Sequence, residues 1–461
     1  MMNTRTEHDS LGAVEVPEQA LWGAQTQRAI DNFPVSGRPL PTRFIHAVVR
    51  LKRCAALANQ SLGQLDQERA KAIVHGCDQL LSGAHEDQFP VDVYQTGSGT
   101  STNMNVNEVL ATLATRSSPE PVNPNDHINM SQSSNDVIPS AIHISGALAV
   151  TEDLLPAIRH LEATIGAREG ELKDEVKTGR THLMDAMPVT LGQELRTWRE
   201  QLAAARHRIE STMPGLLAIP QGGTAVGTGV NAAPEFAGLI TEELYNLTGL
   251  DFTTMDHKFV GQSGLDAPLA LSGQLRGLAV VLMKIANDLR WMNSGPIHGL
   301  AEISLPALQP GSSIMPGKVN PVIPESVAMV ATQLMALDTA NGMAAQSGNF
   351  QLNVMLPLVA SNLLEMLKLA SRASVLLADS AIAGFEVNSD RLKAAVGRNP
   401  VLVTALNPVI GYANAAKIAK RAYQEGRAVI DVAEEDTDIS RADLEKLMDP
   451  LHLTRGGVPG A

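Results

Sequence analysis

Four stretches in the middle of the chain carry apolar residues at spacings of three and four, the period of one helix face. They are Leu195, Trp198, Leu202, Ala205 and Ile209; Leu275, Leu278, Leu282, Ile285, Leu289 and Met292; Val327, Val330, Leu334 and Leu337; and Val359, Leu363, Met366 and Ala370. Long helices with such stripes pack side by side, so the pattern predicts a helix bundle. Apolar residues on other sides, such as Val280 and Met283, predict further helix packing between subunits.

Both ends of the chain differ from this middle. Prolines punctuate the first 40 residues, which are predicted to be extended. Near the C-terminus, short helical segments are framed by the N-cap candidates Asn388, Asp438 and Ser440 and the C-cap candidate Gly426. We therefore predict an N-terminal domain over 1–132, a central helix bundle over 133–387 and a small helical domain over 388–461.

The composition favours helices and limits the classes of binding partner. The chain is 44% hydrophobic but only 3% aromatic, so alanine, leucine and valine must fill the core, which suits an all-α fold. The net charge of −13 argues against nucleic acid and anionic membrane surfaces. It does not exclude an anionic substrate, because salt screens a distant acidic surface from a local cationic pocket.

The sequence also indicates a compartment. Cys54 and Cys77 fit neither a disulfide framework nor a metal site, and are predicted to be buried, reduced thiols. The N-terminal segment has no apolar core and contains acidic residues, which is atypical of a targeting peptide. We see no apolar run near the roughly 18 residues of a membrane span. A cytoplasmic location without a membrane partner is expected.

Five loops rich in small polar residues interrupt the helical pattern. They are ALQPGSSIMPGKVNP (307 to 321), TGSGTSTNMNVNE (96 to 108), NMSQSSNDVIP (129 to 139), KTGRTHLMDAMPVTLGQE (177 to 194) and PQGGTAVGTGVN (220 to 231). We call the segment 307 to 321 the signature loop. Their hydroxyls, amides and accessible backbone N–H groups can form neutral cradles for a carboxylate or phosphate. Helix capping alone explains any one loop, but five such loops favour anion binding.

Motifs of several other chemistries are missing. GSSIMPGKV has five residues between its glycines and Val319 in place of a hydroxyl residue, so it is not a P-loop. GGTAVGTG is not a dinucleotide fingerprint, and neither G-x-S-x-G nor H-E-x-x-H occurs. The twelve histidines do not cluster at ligand spacing. We predict no metal site and no cofactor.

The remaining groups suit proton abstraction next to a carboxylate. Ser312, Lys318 and Asn320 share the signature loop, and His182 lies in RTHLMD. The carbanion formed would spread its charge into the carboxylate, where each lysine or backbone donor contributes roughly 3 to 4 kcal/mol. A serine base needs Lys318 and loop amides to stabilise its alkoxide in a closed, dry site.

The sequence resembles the fumarase/aspartase superfamily over nearly its whole length. GSSIMPGKVNP matches the superfamily loop, and VPEQALWGAQTQRAIDNFP, QFPVDVYQTGSGTSTNMNVNEV, MSQSSNDV, GRTHLMDA, GGTAVGTGVN, MKIANDLRWMNSGP and LNPVIGY follow the family order. The resemblance is strongest to class II fumarases, which interconvert fumarate and (S)-malate in the tricarboxylic acid cycle. Aspartases typically have glutamine at His182 and alanine at Gly317, and differ at TGSGT.

The resemblance implies an elongated three-domain helical subunit. Its central bundle would assemble into a homotetramer with a twenty-helix core. Each active site would combine loops from three subunits, so that a monomer is inactive. No metal or redox cofactor is implied.

The resemblance also assigns roles. Ser312 corresponds to the base that removes the C3 proton of malate, and Lys318 and Asn320 to carboxylate ligands. The remaining ligands implied are Ser98 and Thr100, then Ser133, Ser134 and Asn135, and then Thr181 with His182. Glu325 is expected to pair with His182, which is a candidate proton donor to the departing hydroxyl.

One departure from the family pattern concerns a second dicarboxylate site. Many fumarases carry it near an HPND motif preceded by basic residues. This chain reads SSPEPVNPNDH, with Asn123 in place of the histidine and Glu120 nearby. We predict that the second site is weak or absent.

Two other functions stay open on the sequence. An aspartate ammonia-lyase shares the fold and the base, but His182 and TGSGT favour water as the leaving group. A structural homologue without activity is disfavoured because the four residues that the chemistry needs are intact: Ser312, Lys318, Asn320 and His182.

Overall fold

The computed structural model describes residues 3–458, and these are mainly helical, which confirms the all-α class. The α-helices are α1 (Ala24–Asn32), α2 (Thr42–Ser61), α3 (Gln67–Leu81), α4 (Thr100–Ser117), α5 (Ser134–Ala149), α6 (Leu155–Glu171), α7 (Leu191–Glu210), α8 (Met213–Leu217), α9 (Phe236–Thr248), α10 (Phe259–Ser263), α11 (Asp266–Met292), α12 (Val322–Ala345), α13 (Leu356–Leu377), α14 (Ser389–Arg398), α15 (Asn407–Ile410), α16 (Tyr412–Glu425), α17 (Val429–Asp436), α18 (Arg441–Leu447) and α19 (Pro450–Leu453). Short 3₁₀ segments cover Glu86–Gln88 and Pro400–Leu406, and π-helical turns cover Pro124–Ile128, Val150–Leu154 and Ala378–Ile382.

The described strands are short and lie in two-stranded sheets. They are β1 (Thr4–Asp9), β2 (Gly12–Pro17), β3 (Val176–Thr181), β4 (Met184–Thr190), β5 (Ala218–Ile219), β6 (Thr253–Thr254), β7 (Ile303–Ser304), β8 (Gly348–Asn349), β9 (Leu352–Asn353) and β10 (Glu386–Val387). The pairs β1–β2, β3–β4, β7–β10 and β8–β9 are antiparallel, and β5–β6 is parallel.

The chain forms two compact units. Unit 1 contains the residues up to Pro156 together with 206–279 and 332–371. Unit 2 contains 157–205, 280–331 and the residues from Arg372 onward. The three-domain division at 132/133 and 387/388 stays a prediction.

The predicted apolar stripes lie on α7, α11, α12 and α13. Every member of the stripes on α7, α11 and α13 is buried, because a period of three and four residues keeps one helix face turned inward. On α12, Val327 and Leu334 are buried, whereas Val330 and Leu337 are half-buried. Val280 is 55% exposed in the single chain. Burial of that side between subunits stays a prediction.

Buried polar groups tie the long helices together within each unit. In unit 1, the Asp338 carboxylate on α12 accepts from Ser272 Oγ at 2.7 Å and from Arg276 Nη1 at 2.9 Å, both on α11. In unit 2, Trp198 Nε1 on α7 donates to Asp288 Oδ2 on α11 at 3.1 Å. Such bonds fix the register of helices whose apolar stripes alone would allow sliding.

Two helical stretches have the length and hydropathy of a membrane span. They cover Ser134–Glu171 and Asp266–Met292, with 78% and 50% of their most apolar windows buried inside the protein. The expectation that no apolar run approaches this length was therefore wrong. Core helices of globular proteins have the same length and composition, so these helices are weak evidence for a membrane.

The predictions for the two ends of the chain are correct in part. Ser440 caps α18 by accepting from the backbone N–H of Asp443, and Gly426 ends α16 with a φ of 63°. Asn388 precedes α14 without a side-chain cap, and Asp438 lies outside α18. The extended N-terminal prediction holds for the β1–β2 hairpin but missed α1.

A distant carboxylate holds the start of α1. Glu108, which is 7% exposed on α4, accepts from the backbone N–H groups of Gly23, Gln25 and Thr26 at 2.9 to 3.1 Å. It also accepts from the Thr26 hydroxyl. These bonds satisfy N–H groups that a helix leaves without intrahelical partners, and they place a negative charge at the positive end of its dipole.

Both cysteines are buried and free, as predicted. Burial raises the pKa of Cys54 to about 12 and also raises the pKa of Cys77. Since the thiolate is the reactive form, both side chains are chemically inert at neutral pH.

Candidate active site

The signature loop is closed on itself by hydrogen bonds at its base. The Gly311 N–H donates to the Lys318 carbonyl at 2.7 Å, and Asn320 Nδ2 donates to the Gly311 carbonyl at 2.8 Å. A Cβ on Gly311 would lie 2.6 Å from the Lys318 oxygen, and Gly317 has a φ of 81°. Glycine is therefore required for close approach at position 311, and at position 317 it avoids the strain of a left-handed backbone.

Ser312 receives two backbone donors inside this loop. Its Oγ accepts from the N–H of Ile314 at 3.2 Å and from that of Met315 at 3.1 Å. Hydrogen bonds to an oxygen favour its negatively charged form. The loop thus supplies the amides that a serine alkoxide requires, while Lys318 lies on the same loop.

Thr181 and His182 lie at the tip of the β3–β4 hairpin, where the sequence indicated only a polar loop. The register pairs Thr181 with Met184, so His182 and Leu183 form a two-residue turn with φ values of 55° and 61°. Positive φ at both central residues is the geometry that a tight two-residue hairpin turn requires, here adopted without glycine or asparagine. The turn presents His182 at the exposed end of the two-stranded ribbon.

A buried carboxylate anchors this hairpin. Glu302 is 3% exposed and forms ion pairs with Lys177 Nζ at 2.6 Å and Arg180 Nη1 at 2.7 Å, both on β3. Lys177 also donates to Glu194 Oε2 in the first turn of α7 at 2.7 Å. These contacts hold the strand that leads to His182.

The first cavity lies in unit 1 at the N-termini of α4 and α5. Its volume is about 670 Å³. The predicted residues that line it are Thr100, Ser133, Ser134 and Asn135. Ser98 lies beside them, with its Oγ 2.8 Å from Thr100 Oγ1. Hydroxyls, amides and two helix N-termini make this a neutral site that favours an anion.

Asp136 joins α5 to the glycine-rich loop at 220 to 231. It accepts from the backbone N–H groups of Ser133, Gly222 and Thr224 at 2.9 to 3.0 Å. Burial nevertheless raises the pKa of Asp136 to about 6. Burial also lowers the pKa of Lys52 on α2 to about 7, although the nearby charge of Asp136 acts in the opposite direction.

The loop cavity lies in unit 2 and has a volume of about 750 Å³. Lys318, Asn320 and Glu325 line it, whereas Ser312, Thr181 and His182 are outside its lining. Within residues 3–458 of one chain, no hydrogen bond joins His182 to Glu325. The structure thus brings the predicted residues together as local groups, and the pairing of His182 with Glu325 stays a prediction.

Several lining residues were not singled out from the sequence as members of a site. In the first cavity they are Asn103, Asn129, Gln132 and Thr224, and in the loop cavity they are Arg290, Asn293, Ser294 and Asn388. The signal for Asn103 was its place in TGSGTSTNMNVNE, and that for Arg290 and its neighbours was MKIANDLRWMNSGP. In the described part of the chain, no group of three or more His, Cys, Asp or Glu side chains could hold a metal ion.

Asn123 has a structural role in this chain. Its Oδ1 accepts from the backbone N–H groups of Asn125 and Asp126 at 2.8 and 2.9 Å, and its own N–H donates to His127 Nδ1 at 2.8 Å. Burial, together with nearby Arg69, lowers the pKa of His127, which is therefore neutral at pH 7. The segment presents acidic Glu120 and Asp126 but no histidine charge to a dianion.

Comparisons with known proteins identify the family of this chain. The family model described as Lyase matches residues 12–336, and that described as Fumarase C C-terminus matches residues 402–455. Fumarate hydratase class II 2 of Pseudomonas aeruginosa is 60% identical over 458 residues, covering 99% of this chain and 100% of that protein. Fumarate hydratase class II of Xylella fastidiosa is 56% identical over 454 residues, covering 98% and 96%.

A solved structure gives the same result for the fold. The class II fumarase of Schistosoma mansoni superposes with a TM-score of 0.95 at 37% identity, covering 98% of this chain and 99% of that one. The relatives and the solved structure cover nearly the whole chain, and the Lyase match over 12–336 spans the residues of the signature loop, the β3–β4 hairpin and the first cavity. The chain therefore belongs to the class II fumarase family.

Proposed function

We propose that this chain catalyses the reversible hydration of fumarate to (S)-malate. The observation that carries the proposal is the signature loop, in which two backbone N–H groups donate to Ser312 Oγ while Lys318 lies on the same closed turn. The full-length similarity to fumarate hydratases supports the choice of substrate.

In the malate-to-fumarate direction, the Ser312 alkoxide takes a proton from C3. The electron pair left on C3 spreads into the C4 carboxylate, and Lys318 and Asn320 bind the charged oxygens. The pair then forms the C2–C3 double bond as the C2–O bond breaks. The departing hydroxide takes a proton, so the products are fumarate and water.

His182 is our candidate for the proton donor. Its position at the tip of a hairpin suits a group that must reach into a site formed by other elements. Glu325, in the first turn of α12, is the candidate carboxylate that orients it in the assembled protein. Thr181 and the first cavity, with Ser98, Thr100, Ser133, Ser134 and Asn135, would bind the substrate carboxylates.

The proposed assembly is a homotetramer in which three subunits contribute to each site. Two observations support it. Predicted ligands divide between unit 1 and unit 2, and apolar side chains on α11 and α12, such as Val280 and Met329, are 55% and 68% exposed in the single chain. We also propose a cytoplasmic location, with which the two reduced, buried thiols agree.

The decisive experiment follows fumarate by its ultraviolet absorbance after purified protein is mixed with (S)-malate in the presence of a chelator. A parallel reaction contains aspartate. Fumarate from malate alone is expected. Fumarate from aspartate alone would identify an ammonia-lyase, and no product from either substrate, with a confirmed tetramer, would indicate a protein without this activity.

We expect one dicarboxylate per subunit, without a second site near Asn123. The Asn123 oxygen is occupied by backbone donors, and the exposed Glu120 and Asp126 together carry more negative charge than Arg69, which lies 3.9 Å from Glu120, offsets. Calorimetric titration with (S)-malate should give a stoichiometry of one. Asn123→Ala should leave KM unchanged and cost about 1 kcal/mol of stability through loss of a cap. A second bound malate in a crystal structure would contradict this prediction.

A further inference from the structure

We propose that Lys52 is a positioning residue for the first cavity, an inference that rests on the proposed function. Because its ammonium group only donates hydrogen bonds, it fixes the side-chain amides of Asn129 and Asn103 in one orientation. That orientation leaves the Ser134 hydroxyl hydrogen free to point into the cavity as a donor to a substrate carboxylate.

The first link joins α2 to the turn before α5. Lys52 is 1% exposed, and its Nζ donates to Asn129 Oδ1 at 2.9 Å and to Gln132 Oε1 at 3.1 Å. In its ammonium form, which prevails below its pKa of about 7, Lys52 has three donors and no acceptor and can face only the oxygen of each amide. Lys52 thus fixes the orientation of Asn129 together with two further bonds, from Asn107 Nδ2 to Asn129 Oδ1 and from Asn129 Nδ2 to the Gln132 carbonyl, both at 3.2 Å.

The second link is the Asn103 amide, which connects Asn129 to Ser134. Asn103 Nδ2 donates to Asn129 Oδ1 at 3.2 Å and to Ser134 Oγ at 2.9 Å. Reversing the Asn103 amide would bring its oxygen against Asn129 Oδ1, which is already an acceptor for Lys52. Both hydrogens of the Asn103 amide are thereby committed.

The last link is the Ser134 hydroxyl itself. It accepts from Asn103, and among the described residues it donates to none, although Ser134 is only 8% exposed and lines the first cavity. A hydroxyl that has accepted one bond directs its hydrogen elsewhere, and the cavity is the space available. A carboxylate there would receive a donor already oriented before binding, which reduces the cost of ordering.

The test is a double-mutant cycle between Lys52→Met and Ser134→Ala. KM for fumarate and Kd for succinate, measured by calorimetry, are the two readouts. Each single variant should raise both constants about tenfold, the loss of one hydrogen bond to a charged group, with a smaller effect on kcat. The double variant should also be about tenfold worse and not about a hundredfold, because both changes remove the same donor.

Asn59→Ala is the matched control. Asn59 is also buried on α2 and binds the same turn through Met130 O and the Ser131 hydroxyl, but it lies outside the donor chain. The fold-changes in KM and Kd caused by Asn59→Ala and by Ser134→Ala should multiply in the double variant, because the two side chains act independently. If Lys52→Met combines multiplicatively in the same way, or leaves both constants unchanged, the inference is wrong.

Two further measurements cover the cases in which Lys52→Met does not fold or the wild-type protein is inactive. If Lys52→Met does not fold, Asn103→Ala breaks the middle link while Lys52 keeps both of its oxygens, and the same lack of multiplication with Ser134→Ala is expected. If the wild-type protein turns over neither malate nor fumarate, the proposed function fails. The succinate cycle still tests the donor chain in that case.

Discussion

Ser312→Ala should lower kcat for malate by about 10² to 10⁴-fold, the contribution of a positioned base, with little change in KM. The side chain that accepts the C3 proton is lost, whereas the proposed carboxylate ligands Lys318 and Asn320 stay in place. Steady-state kinetics by fumarate absorbance measures both constants. Ser313→Ala is the matched control, because Ser313 is the exposed neighbouring serine of the same loop and should retain the wild-type kcat.

A mixing experiment extends this test to the assembly. Ser312 belongs to unit 2 and Thr100 to unit 1. If different subunits supply them to one site, hybrids of Ser312→Ala and Thr100→Ala subunits form some sites with both residues intact. Random mixing should restore about a quarter of the wild-type activity. Hybrids no more active than the separate variants would contradict shared sites.

Glu302→Ala should destabilise the protein by about 3 to 5 kcal/mol, because it leaves buried cations without their carboxylate. Lys177, which is 2% exposed, would keep only Glu194, and Arg180 would lose its 2.7 Å partner. The urea midpoint of unfolding, followed by circular dichroism, measures the loss.

Glu435→Ala is the matched control for Glu302→Ala. Glu435 also contacts two cations, Arg421 and Arg427, but its side chain is 45% exposed. Water can therefore solvate both arginines when the carboxylate is removed, and the urea midpoint should barely move. Lys177→Met combined with Glu302→Leu removes buried charges together and should recover part of the stability. Equal effects of Glu302→Ala and Glu435→Ala would show that burial of the Glu302 ion pairs is not important.

The sequence predicted well the features that depend on local periodicity. The stripes through Trp198 on α7 and Leu282 on α11 required only the helical period to place them in the core. The loops around Ser312 and Ser134 were identifiable because glycine, serine and asparagine accumulate where a backbone must turn or bind an anion. Their roles came from family resemblance.

Features that depend on distant contacts were missed. Nothing near residues 24–32 shows that Glu108, more than 75 positions away, supplies the cap of α1. The His182–Leu183 turn lacks the Asn-Gly signal of a tight hairpin, because Glu302 and the paired strands impose its backbone. The orientation of Ser134 depends on Lys52 on another helix, which no spacing along the chain reveals.

The two inert cysteines make the native chain a ready background for site-specific labelling. Cys54 and Cys77 have no exposed surface and carry raised thiol pKa values, so a maleimide dye has no fast native target. Ile314, at 84% exposure in the signature loop, offers a position where one introduced cysteine would react first. A fluorophore attached there would report changes in the surroundings of the signature loop in real time, and Ile314 would be the one native residue replaced.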